Sequence, residues 1–148
     1  MGLKRELDFK RYLTDNIVGY DGKFSKYILL LPSLYDTLTN LLGSEDVPQS
    51  IRSDIYLAMG YLFYADDIFP EEEHGPLGFI EDLLLILVVL RKCAIKKGIG
   101  FIEDLSPVKD YPMEQLLTSD FNELTDENTE LFDEVLTITG MDNELYLA

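Results

Sequence analysis

The side chains whose types and spacing could do chemistry are Asp67, Glu71, His74, Glu81 and Asp82. Gathered at the mouth of a helical hairpin, these carboxylates and the imidazole would offer ligands for Mg²⁺, Mn²⁺ or Ca²⁺, which favour oxygen donors. Adjacent carboxylates disfavour each other's full ionisation, so the group could also hold an acid with a raised pKa. That reading gives a divalent-metal-binding regulator or hydrolase. The plainer reading gives each residue a local duty. Asp67 accepts backbone amides in a tight turn, and Glu81 and Asp82 sit where a helix N-terminus favours negative charge. Glu71 and His74 then belong to a solvated loop. A di-metal carboxylate bundle fits poorly, since it requires Glu-x-x-His pairs on separate helices and His74 is the one histidine in the sequence. No Ser-His-Asp grouping stands out, and Gly75-x-x-Gly78 lacks the Lys-Ser/Thr of a phosphate loop. The expectation is a chain with no catalytic residue and no cofactor, with a divalent cation as the alternative.

Helices must position these groups. Residues 4–18 carry Leu7, Tyr12, Leu13 and Ile17 at helical spacing, and a second helix is expected over 23–43. Pro32 should kink or restart that helix, because proline lacks an amide and crowds the preceding turn. A third helix follows Pro48 and runs to about 65, with Ile51, Ile55, Leu57, Ala58, Tyr61 and Leu62 as its apolar stripe. After a loop over 71–78, the fourth helix spans about 79–97. It is apolar all round from Leu83 to Leu90, so other helices must enclose it. Arg91, Lys92, Lys96 and Lys97 suit the negative end of its dipole, and Gly98 suits its stop. The hexapeptide Gly78-Phe-Ile-Glu-Asp-Leu83 recurs as Gly100-Phe-Ile-Glu-Asp-Leu105, which reads as helix-start chemistry used twice. Short helices are expected over 112–119 and 126–139, with Asp120 and Glu123 as a capping box between them. Gly140 is the expected last stop. The whole is expected to be a single all-α domain over 1–148, of five to seven helices around the apolar fourth, ending in a loose tail at 144–148.

The stretch from Ala58 to Pro70, continued by Gly75 to Leu84, resembles the YkvA-like family, whose function is unknown; the likeness extends over about residues 58–92. Tyr61 stands at that family's helix-end tyrosine, Asp67 and Pro70 in its turn, and Glu71 at the acid that follows. Gly78, Phe79, Ile80, Glu81 and Asp82 match the start of its apolar helix. Ala65 departs from the pattern, standing where the family has the first proline of the turn. The resemblance implies a helical hairpin and no activity. A tyrosine ending an apolar helix can bury its ring and fasten the turn through its hydroxyl to Asp67, which would make both residues architectural. Some members of that family look membrane-associated, which the resemblance would extend to a peripheral role here.

The chain has 148 residues and a net charge of −16. That charge argues against a nucleic-acid groove, which is built from clustered Lys and Arg. Cys93 stands alone, so neither an internal disulfide nor a cysteine-rich zinc site can form. The apolar run at 83–90 falls short of the roughly 20 residues that cross a bilayer. A peripheral mode, with 79–90 inserted and Arg91–Lys97 on anionic lipid, is a less favoured alternative. The N-terminus lacks the apolar core of a signal peptide, which points to the cytoplasm. The acids are unevenly placed: residues 110–148 hold 11, and no Lys or Arg follows Lys109. Salt adaptation should spread acids more evenly. Glu123, Asp126, Glu127, Glu130, Asp133 and Glu134 are therefore expected to form an interaction face for a basic protein partner. The apolar content is also compatible with a homodimer.

Overall fold

The computed structural model describes residues 24–62 and 80–139, with side chains for 24–60 and 80–137. The expected helix at 4–18, the loop at 71–78, the Gly140 stop and the tail at 144–148 lie outside the described residues. The fold is all-α, and the described helices pack around one central helix.

α1 (Ser25–Ile28) is a single turn that gives way to α2 (Leu31–Leu42), where Pro32 occupies the first turn. Proline thus restarts the helix, because its missing amide has no partner to lose at that position. Leu31, Leu34, Leu38 and Leu41 recur at three- and four-residue spacing and are fully buried. α3 (Gln49–Leu62) begins just after Pro48, and Arg52 ties its first turn to the end of α2 by donating to the carbonyls of Leu42 (2.8 Å) and Ser44. Ile51, Ile55 and Ala58 face inward as expected, joined by Met59. Leu57 does not: it is 44% exposed, beside Tyr56 at 61%. It lies about 200° around the helix from Ile55, off the stripe that the other residues share.

α4 (Ile80–Lys97) is the centre. Every residue from Ile80 to Arg91 is buried, and α4 packs against α2, α3 and the helices that follow. Each leucine so enclosed stabilises the fold by about 1.5–3 kcal/mol relative to an exposed one. The helix ends where expected. The Gly98 amide donates to the Ala94 carbonyl at 2.8 Å, and Gly98 then turns to φ 92°, a conformation open chiefly to glycine. Only Lys96 and Lys97 lie in the last turn. The other two members of the basic group do different work: Lys92 pairs with Asp54 of α3 at 2.7 Å, and Arg91 is buried.

α5 (Ile99–Leu105) carries the second hexapeptide, and here the expectation of repeated start chemistry fails. The helix begins at Ile99, so Glu103 and Asp104 fall near its end rather than in its first turn. Gly98, not Gly100, sets the start. Ser106 leaves the helix in an extended conformation, and its hydroxyl bonds that of Thr37 on α2 at 2.9 Å. Asn40 donates to the Leu105 carbonyl at 2.7 Å, fastening the end of α5 to α2.

The last segment departs most from expectation. α6 (Met113–Gln115) runs without a break into a π-helical turn at Leu116–Asp120 and then into α7 (Phe121–Glu127). The chain breaks at Asn128 and resumes as α8 (Thr129–Thr139). No capping box forms at Asp120, which has helical backbone angles and makes no side-chain cap bond. A cap needs a non-helical backbone to begin from, and the wide turn supplies continuous helix instead.

Candidate functional site

α7 and α8 each turn one face to the core. Phe121, Leu124, Val135 and Leu136 are buried, and Phe121 and Phe132 meet edge to face with ring centroids 5.8 Å apart. The opposite faces carry Glu123, Asp126, Glu127, Glu130, Asp133 and Glu134, all exposed. None of the six forms an ion pair among the described residues. Glu123 lies close enough to Lys26 to add to the rise of its pKa, behind the larger effects of Tyr27. The six expected acids are therefore each exposed, three on α7 and three on α8, on either side of the Asn128 break.

A buried polar cluster that the spacing gives no sign of lies beneath this surface. Asp120 is 5% exposed and accepts hydrogen bonds from the hydroxyls of Tyr27 (3.3 Å) and Tyr111. The rings of Tyr27 and Tyr111 stand edge to face at 6.4 Å. Burial, and then the bond to Asp120, push the Tyr111 phenol well above its ordinary value. Tyr27 shifts the same way, with burial as the leading cause. On the other side of the turn, the buried Arg91 guanidinium donates to the Leu117 carbonyl (3.2 Å) and to Asn122 Oδ1 (3.0 Å), and it covers the Phe121 ring at 4.6 Å. Arg91 from α4, and Tyr27 from α1 acting on Asp120 at the turn's own end, thus fasten the wide turn to distant parts of the chain. A lone arginine in a basic cluster carries no mark that it turns inward, and Tyr27, Tyr111 and Asp120 share no period.

The expected metal group is only partly described. Glu81 and Asp82 lie in the first turn of α4, as expected, and both are buried. Asp67, Glu71 and His74 lie outside the described residues, as do Pro70, Gly78 and the Tyr61 side chain. Among the described residues, no three His, Cys, Asp or Glu side chains are placed to hold a metal ion. Cys93 is buried among apolar neighbours, and burial pushes its thiol up to about 11. No helix among the described residues is long and apolar enough to cross a membrane. Ile80–Leu90 is enclosed by protein, so a bilayer could take it up only if the surrounding helices parted.

Comparison with known proteins adds kinship without chemistry. The chain is 31% identical over 103 residues to an uncharacterised protein, ORF9, of Methanothermobacter thermautotrophicus, a match covering 70% of each chain. No family model matches the sequence. No solved structure matches it either.

Proposed function

Starting from the fact that the chain belongs to the same family as the ORF9 protein, we propose that it is a non-enzymatic, cytoplasmic protein-interaction module whose acidic C-terminal helices meet a basic partner. The observation that carries this reading is the shared exposure of Glu123, Asp126, Glu127, Glu130, Asp133 and Glu134 on α7 and α8. A surface of one sign, with apolar anchors holding it to the core, raises the encounter rate with a partner of opposite sign and penalises acidic ones. No Lys or Arg follows Lys109 in the sequence to offset these charges, although Lys26 of α1 lies near Glu123. The likeness of residues 58–92 to the YkvA-like family belongs to the same proposal: it adds a helical hairpin and no reaction. Self-association into a homodimer is compatible with it.

The test is affinity capture with the whole chain, wild type against a variant with the six acids changed to Gln or Asn. The six side chains are exposed, so the variant should fold, which circular dichroism checks directly. Capture of a basic protein by the wild type and its loss in the folded variant is the expected outcome. Equal capture by both would remove the electrostatic reading.

A further inference from the structure

Of the long helices described, α3 alone presents a broad solvent face without charge. Its exposed residues are Gln49, Ser50, Ser53, Tyr56, Leu57 and Gly60. Its two charged residues are half-buried and engaged elsewhere, Arg52 with the carbonyls of Leu42 and Ser44, and Asp54 with Lys92. By contrast, α4 exposes Lys96 and Lys97, and α8 exposes Glu130, Asp133 and Glu134. α2 exposes only Asn40. Tyr56 and Leu57 are also two of the four large apolar side chains exposed among the described residues. Adjacent apolar groups on an uncharged surface fit a contact site better than a solvated one. Gly60 points the same way. Glycine is a poor helix former, yet a Cβ at this position would meet nothing within 4 Å, and Gly60 is not among the positive-φ residues. The fold itself gives no reason for glycine there, whereas a helix packed closely against α3 from outside would.

We propose that the chain forms a two-fold symmetric dimer through this face, with α3 of each protomer antiparallel to the other about Tyr56 and Leu57. The order along the face is small, large, large, small: Ser53, then Tyr56 and Leu57, then Gly60. Reversing the helix leaves that order unchanged. A two-fold axis passing between positions 56 and 57 sets Ser53 of one protomer opposite Gly60 of its partner, and Tyr56 opposite Leu57. A two-fold contact requires a patch that is complementary to itself in this way. Charge favours the same occupant. A second copy of a chain of net charge −16 is repelled by the acidic helices, and α3 is where it can dock without setting like charges against each other. A basic partner gains nothing from a face without charge. One helix face is smaller than the roughly 800 Å² per partner of a standard stable interface, so the dimer is a reversible one. The pairing does not rest on the acidic face, whose residues lie on other helices.

Sedimentation equilibrium of the full chain tests this, at about 0.15 M salt and at protein concentrations from about 10 µM to about 1 mM. The wild-type mass should rise with concentration from that of a monomer toward that of a dimer. Leu57→Glu and Tyr56→Lys each set like charges beside the axis, and each should raise the dissociation constant at least about tenfold. Mixed together, the two variants should associate again, because the two-fold pairing brings the new glutamate opposite the new lysine. Both positions are exposed, so thermal melts of the monomers should match wild type. A wild-type chain that stays monomeric to about 1 mM would overturn the proposal. The melts would then name the occupant: a destabilised Leu57→Glu monomer would assign the face to the chain's own residues, and an unchanged one to a partner of other chemistry. Dimerisation that survives Leu57→Glu, or a mixture that associates no better than its parts, would overturn it as well.

Discussion

Asp120 is the residue on which the C-terminal third turns. A carboxylate 5% exposed needs donors, and two phenols supply them, with a longer bond from the Gln115 amide. Tyr111→Phe removes one donor while keeping the ring, and should cost about 1–3 kcal/mol at neutral pH in denaturant unfolding. The same substitution should change the alkaline limb of stability. The folded-state pKa of Tyr111 lies above its ordinary value of 10.0, so above about pH 10 the unfolded chain releases a proton that the folded chain retains. The stabilisation is fully present below that pH and is lost as pH rises through the folded-state value. Stability measured from pH 9 upward should therefore fall less steeply in Tyr111→Phe than in wild type; equal slopes would show that Tyr111 is not the titrating group. Sequence alone shows nothing of this cluster. Tyr27, Tyr111 and Asp120 come from separate segments, and periodicity reports which face of a helix is apolar, not which distant polar groups meet.

At the level of elements, boundaries set by backbone chemistry are legible and those set by distant contacts are not. Pro32 and Gly98 act through their own dihedral limits, and the helix ends they specify lie where their chemistry requires. The π turn has no such local signature, since Arg91 and Asp120 hold it from outside the periodic pattern. The expected capping box at Asp120 fails for the same reason, as does the assignment of Arg91 to the helix dipole. Gly98 gives the sharpest test at this scale. At φ 92° and ψ 154° it occupies a region almost closed to other residues, while a Cβ there would touch nothing within 4 Å. Gly98→Ala should therefore destabilise by about 1–3 kcal/mol through backbone strain alone. A thermal melt that matches wild type would show that the α4–α5 junction can relax.

For the whole molecule, the charge of −16 resolves into −5 over residues 1–109 and −11 over residues 110–148. That division is legible from the sequence, because it needs only counting, and exposure follows once Phe121, Leu124, Val135 and Leu136 claim the inner face. The partner's identity is not legible, because a solvated acidic surface specifies sign and location but not shape. The most direct test of the account is the affinity for the captured partner as a function of ionic strength, for wild type and the six-acid variant side by side. The wild-type affinity should fall steeply between low salt and about 0.15 M, where the screening length shrinks to about 8 Å, and the variant should bind weakly with a shallow slope. Parallel salt dependences of equal affinity would contradict the claim that this face is the binding surface.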